Sequence, residues 1–184
     1  MNIIKTEFLG LYIIEPQVFE DTRGYFFESY NAQKLEKEGI NTVFIQDNQS
    51  KSAYGVLRGL HYQLVPYAQT KLIRVLDGIV FDVVVDIRIG SPTFGKWFGI
   101  ELSSDNKKQF YIPKGFAHGF SVLSETAVVL YKCDTPYNPA SERGIIYNDP
   151  DLAIDWKLKV DNVNLSQKDL LHPVLKDAEN NFTF

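Results

Sequence analysis

The sequence has one cysteine, Cys133, one methionine and two tryptophans among its 184 residues. A lone cysteine excludes an intrachain disulfide framework and a self-contained cysteine-rich zinc site. Long apolar runs are missing: none approaches the roughly 18 residues that cross a bilayer as a helix. The start, MNIIKTEFLG, has no signal-peptide apolar region, so a cytoplasmic location is the expectation. Long basic runs are missing too. With 19 Lys and Arg against 23 Asp and Glu, the net charge is −4, and neither nucleic acid nor a membrane surface is an expected partner. Net charge does not exclude a local cationic pocket for a small anion. There is no low-complexity linker and no internal repeat, so residues 1–184 are expected to form a single domain.

What is abundant is aromatic: 13 Phe and 10 Tyr, which together with the two Trp make up 14% of the chain. Such residues suit strands and pocket walls. Only Asn31–Glu38, NAQKLEKE, reads as a clear helix, closed by Gly39. The rest reads as short strands punctuated by Gly, Pro, Asn and Asp. The pair of runs in KLIRVLDGIVFDVVVDIR is joined at Asp77-Gly78, the usual signature of a tight hairpin. Further strands are expected at Thr42–Gln46, Gly55–Gln63, Trp97–Leu102, Gln109–Ile112, Gly119–Leu123 and Val128–Cys133, and a short helical turn at Leu165–Leu171. Many short strands imply an all-β sandwich or closed barrel.

Side chains alternate faces along a strand. Lys71 therefore travels with Ile73 and Val75, and Tyr131 with Val129 and Cys133. If those faces look inward, Lys71 and Tyr131 project into the interior, where a lysine needs an anionic partner or a chemical task. Alternatively Lys71 lies at a strand end and reaches water. In GVLRGLHYQ, Arg58 and His61 stand three apart, so a regular strand sends them to opposite faces. A bulge at Gly59 would bring them to one. A strand histidine such as His61 also has a purely structural reading. His118, in PKGFAHGF, fits a turn as well as a pocket rim, and His172 is expected at the surface. Ser166-Gln-Lys-Asp169 has nearly capping-box spacing, which makes Asp169 a helix cap on spacing alone.

The segments FEDTRGYFFESY, FIQDNQSKS, GVLRGLHYQ, KLIRVLDGIVFDVVVDIR, SPTFGKW, IPKGFAHGF, LYKCDTPYNP and NDPDLAIDW follow one another in this order. Together they resemble the dTDP-4-dehydrorhamnose 3,5-epimerase family from about Ile4 to Leu175. The resemblance implies a cupin-type double-stranded β-helix, or jelly roll, with a few short helices. It also implies a homodimer that inverts C3 and C5 of dTDP-4-keto-6-deoxyglucose without metal or organic cofactor. Metal-binding cupins carry an H-x-H pair and a later P-x-G-x-x-H. Here Pro113-Lys-Gly115-Phe-Ala-His118 keeps the second element, whereas the first has become His61-Tyr-Gln63, and glutamine is a poor zinc or iron ligand.

On the same resemblance His61 is the base and Asp169 the carboxylate that orients it. Lys71 is the cation beside the C4 oxygen, and Tyr131 the proton donor on the opposite face, its acidity raised by Lys71. Arg58 matches a diphosphate ligand, with Lys168 a weaker match. Arg23, Phe26 and Glu28 match nucleotide contacts, some of them made from the partner subunit. Gln46 and Asn48 match polar contacts in the site, and His118 and Tyr137 the lining of the sugar pocket. Tyr147-Asn148-Asp149 and the missing proline after Trp156 depart from the family pattern outside the acid–base set. Two rival functions share these residues: a single-centre epimerase, and a cupin that only binds a sugar nucleotide.

Overall fold

Short β-branched and aromatic runs bounded by glycine and polar turns pair as antiparallel strands. The computed structural model describes residues 1–159 and 163–184. In chain order its elements are β1 (Asn2–Lys5), β2 (Tyr12–Glu15), β3 (Val18–Asp21), β4 (Gly24–Phe27), α1 (Ala32–Lys37), β5 (Gln46–Ala53), β6 (Leu57–Gln63), β7 (Lys71–Asp77), β8 (Ile79–Asp86), β9 (Trp97–Ser103), β10 (Gln109–Ile112), β11 (Phe116–Val122), β12 (Thr126–Cys133) and β13 (Glu142–Gly144). One sheet runs β1-β2-β10-β7-β12-β5, the other β13-β6-β11-β8-β9, and β3-β4 forms a separate hairpin. This is a jelly-roll sandwich, as expected.

The central core lies between the sheets, where Ile73, Val75, Phe110 and Val129 meet Val80, Val84, Phe120 and Val122. The outer face of the second sheet is not solvated. Phe81, Val83 and Val85 of β8 pack there against Ile145, Leu152, Trp156 and Phe182 from the chain that follows β13. Because β8 is covered on both faces, its sequence is almost continuously apolar rather than alternating. The exceptions are Asp82, on the inner face, and Asp86 at the strand's end, both fully buried. On the first sheet, Leu35 of α1 packs on Ile14, Leu72 and Tyr111. The helix has Asn31 as N-cap, its side chain accepting from the Lys34 N–H, and Gly39 follows at φ +84°.

Asp77-Gly78 does not close a hairpin. β7 and β8 belong to different sheets, and Gly78 is the corner where the chain crosses between them. Its φ is +80°, and a Cβ there would collide with the Thr126 carbonyl of the adjoining strand. Local turn chemistry is the same for a corner as for a hairpin, so the dipeptide alone does not distinguish them.

The strand expected at Thr42–Gln46 also moves. It begins at Gln46 and runs through the polar segment to Ala53, paired along its length with β12. As an edge strand, β5 needs no second apolar face, so its composition hides it. Val43 and Ile45 instead lie exposed before it, at 75% and 61%. The turn expected over Leu165–Leu171 narrows to a 3₁₀ turn at Asp169–Leu171.

Candidate active site

A cavity of about 440 Å³ opens between the sheets. Strand parity puts Lys71 and Tyr131 on its wall, as expected: Ile73 and Val75 continue the Lys71 face, and Val129 the Tyr131 face, into the central core. The Lys71 Nζ lies 5.9 Å from the centre of the Tyr131 ring. Among the described residues no carboxylate pairs with Lys71 within ion-pair distance. Burial lowers its pKa below the usual lysine value, against weaker opposing effects of Cys133, Asp82 and Glu142.

β6 supplies the opposite wall. The ladder with β11 pairs His118 with His61 but Phe120 with Arg58, so β6 holds one more residue than β11 over this interval. The extra residue sets Arg58 and His61 on one face, and both line the cavity. Gly59 is required for this: its φ is +120°, and a Cβ on it would lie 2.6 Å from Gly119 Cα and 2.7 Å from the His118 carbonyl oxygen. The Arg58 Nε donates to Ser52 Oγ at 3.1 Å.

His61 Nε2 lies 2.6 Å from Asp169 Oδ1. Asp169 is buried at 3%, while the His61 side chain keeps 30% of its surface open. Ser166 performs only half of a capping box: its Oγ accepts from the Asp169 N–H at 3.1 Å, and the Asp169 carboxylate turns instead to His61. Burial works to raise the Asp169 pKa. The hydrogen bond and charge of His61 outweigh it and leave the carboxyl below its ordinary range. An ionised Asp169 accepting the Nε2 proton fixes the imidazole tautomer and leaves the Nδ1 lone pair as the basic site.

Burial raises the Tyr131 pKa, assisted by Cys133. The cation that opposes this rise is Arg58 rather than the expected Lys71, and the net shift is upward. The phenol stays protonated at neutral pH, the state a donor requires. His118 lines the cavity as well, but its Nε2 faces both Asp82 oxygens at 2.9 and 3.1 Å. Burial lowers the His118 pKa more than Asp82 raises it. Gln63, where metal-binding cupins place the second histidine of the pair, is committed to loop backbone: its amide donates to the Tyr67 carbonyl at 2.6 Å and accepts from the Asn138 N–H at 2.7 Å.

The cavity thus gathers His61, Asp169, Lys71, Tyr131, Arg58, His118 and Lys168. It does not gather the others expected. Arg23 and Phe26 sit on the protruding hairpin, Phe26 at 70% exposure, and Arg23 pairs with Asp21. Glu28 pairs with Lys34 at 2.7 Å. Gln46 donates to Asn48 at 2.9 Å, alongside β12. The Tyr137 hydroxyl donates to Glu142, which also holds Lys168. Three participants were not expected. Glu142 bridges Tyr137 and Lys168, Asp82 holds His118, and His172 lies 3.6 Å from Asp169 rather than at the surface. A carboxylate whose partner is far along the chain leaves no spacing signal, which is why Asp82, paired with His118 of the neighbouring strand, and Glu142 are silent in the sequence.

The sequence profile of the dTDP-4-dehydrorhamnose 3,5-epimerase family matches residues 5–177. The Shigella flexneri protein of that name is 53% identical over 180 residues, 97% of this chain and 98% of its own. The crystal structure of the Elizabethkingia anophelis enzyme superimposes with a TM-score of 0.93 at 57% identity, covering 96% of this chain and 97% of that one. The Legionella pneumophila enzyme, crystallised with dTDP-4-keto-L-rhamnose, gives 0.91 at 55% identity over 96% and 93% of the two chains. A jelly roll with a buried carboxylate behind a cavity histidine, matched along nearly its whole length, places this chain in the dTDP-4-dehydrorhamnose 3,5-epimerase family.

Proposed function

We infer that this chain, as a single domain over residues 1–184, converts dTDP-4-keto-6-deoxy-D-glucose to dTDP-4-keto-L-rhamnose by inverting C3 and C5. The observation that carries the reading is the His61–Asp169 pair, 2.6 Å apart, opening on the same cavity as Lys71 and Tyr131. Protons beside a ketone are removable because the charge left behind moves to the ketone oxygen. His61 takes the proton at Nδ1, and Asp169 stabilises the imidazolium that results. Lys71 meets the charge growing on O4. The anionic substrate supplies the partner that burial otherwise denies this lysine. Tyr131 returns a proton from the opposite face. Four protein groups therefore complete the proton bookkeeping, and the chemistry calls for no cofactor.

Arg58 and Lys168 suit the diphosphate, Arg58 by its planar fork. His118 and Tyr137 serve the sugar pocket, and Gln46 and Asn48 serve as polar contacts at its edge. We assign Arg23, Phe26 and Glu28 to nucleotide binding in a homodimer, with hairpin residues entering the cavity of a second copy. Phe19, Tyr25 and Phe26 of the hairpin are 55–70% exposed, an apolar surface consistent with a covered face. A cytoplasmic setting fits a sugar-nucleotide substrate, and no helix among the described residues is long and apolar enough to cross a membrane.

The test is incubation with dTDP-4-keto-6-deoxy-D-glucose in D₂O, with the labelled carbons read by NMR. Deuterium at both C3 and C5 is expected. Label at one carbon would make the chain a single-centre epimerase, and no label would leave a sugar-nucleotide-binding protein.

A further inference from the structure

Beside the catalytic pair stands a third group that the acid–base scheme does not use. The His172 side chain is only 11% exposed. Its Nε2 is buried without a hydrogen-bond partner among the described residues and lies 3.6 Å from Asp169 Oδ1. Its ring stands edge-on to His61, with centroids 5.5 Å apart and planes at 78°. The fold makes room for it. Gly144 lies opposite His61 in the β6–β13 ladder, and a Cβ on that glycine would collide with the His172 ring. A buried, unpaired ring nitrogen is costly and calls for an explanation such as an ion.

We propose that His61, Asp169 and His172 form a binding site for a divalent transition-metal ion of zinc type, and that filling it switches the epimerase off. Two imidazole nitrogens and one carboxylate oxygen, with water in the fourth position, are a common zinc donor set. The three donor atoms lie within 4.8 Å of one another. Tetrahedral zinc with bonds of about 2.0–2.1 Å places its ligand atoms roughly 3.4 Å apart. The His172–Asp169 separation of 3.6 Å is already near that spacing, and the His61–Asp169 bond of 2.6 Å must open by a side-chain adjustment. Ions can enter through the cavity that His61 lines. The neighbouring cation, Lys168, is already paired with Glu142.

The inhibition arm rests on His61 being the base. When the metal takes the Nε2 lone pair of a neutral imidazole, the ring's single proton must sit on Nδ1. That is the nitrogen assigned to take the substrate proton, so a metallated His61 has no free lone pair for catalysis. His61 changes tautomer, His172 offers its Nε2 with its proton on Nδ1, and no proton is lost overall. Substrate binding through Arg58 and Lys168 is untouched, so inhibition should lower kcat and not raise KM.

The test begins with chelator-treated protein in phosphate-free buffer, titrated with Co²⁺ alone. Intense tetrahedral d–d absorption saturating at one ion per chain is expected, and it should vanish in His172→Gln. Zn²⁺ should then suppress turnover of the wild type. The concentration giving half inhibition should rise at least about tenfold in His172→Gln, the loss that even outer partners of a metal produce. Equal Zn²⁺ sensitivity in the two proteins, or a Co²⁺ spectrum surviving in His172→Gln, would overturn the site. If that variant melts too low to handle, ¹⁵N NMR of wild-type histidine rings decides. Zn²⁺ should move the Nε2 signals of both His61 and His172, and movement of neither or of His61 alone refutes the site. The cobalt and NMR arms need no substrate. They therefore fail separately from the epimerase reading.

Discussion

Two histidine–aspartate pairs face one cavity, and they are built differently. His118 and Asp82 sit on adjacent central strands of one sheet, β11 and β8. Both are almost fully buried, and both carboxylate oxygens face a single ring nitrogen. His61 draws its aspartate from outside the sheets, from the 3₁₀ turn at Asp169–Leu171, and keeps nearly a third of its side chain open. The first pair is held by the ladder on every side, so it can shape a wall but has little freedom to change charge. The second combines an accessible ring with a buried carboxylate, the arrangement that lets a histidine gain and lose a proton at fixed geometry. Residue type is the same in both. Burial and origin divide the roles.

Substitutions on the open pair should cost the most rate. His61→Ala is expected to lower turnover by about 10³-fold or more, measured with dTDP-4-keto-6-deoxy-D-glucose, while dTDP binding by calorimetry changes little. Asp169→Asn comes next, at about 10²-fold or more, since the ring keeps its place but loses its tautomer partner. The closed pair should separate from these cleanly. Asp82→Ala is expected to cost about 1–3 kcal/mol in urea unfolding, because it strands a buried ring nitrogen. Its rate should fall by less than tenfold at temperatures where it is folded. A rate loss equal to that of Asp169→Asn would erase the distinction and make His118 a second base.

The smallest effect is in the pH dependence of stability. The Asp169 carboxyl lies below its ordinary value of 3.8 in the folded chain. A depressed carboxylate pKa adds stability above the unfolded value, and that contribution disappears as pH falls through the folded one. The unfolding free energies of wild type and Asp169→Asn should therefore converge as pH is lowered below about 4. A gap that widened in acid would mean the carboxylate is not held ionised by His61.

The faces of Lys71 and Tyr131 are legible because strand parity is a local property. Lys71 and Tyr131 could be placed from their apolar neighbours, and the slip at Gly59 followed from the need to bring Arg58 and His61 together. Pairing partners are not local. Asp77-Gly78 reads as a hairpin because sequence shows a turn and not which sheet each strand joins. The polar strand Gln46–Ala53 escaped notice because an edge strand needs no apolar face. Asp169 read as a cap from Ser166, which is half true, since the hydrogen bond to His61 spans 108 positions. His172 reads as a surface residue for the same reason: the glycine that gives it room, Gly144, lies far back in the chain, in β13.

The central claim is that one open pair serves both carbons. Running His61→Ala in D₂O beside the wild type, with label quantified separately at C3 and C5, tests it most directly. Wild-type protein should label both carbons, and the variant should lose label at both together by about 10³-fold. Label persisting at either carbon within tenfold of wild type would contradict the account, because a second base would then be at work.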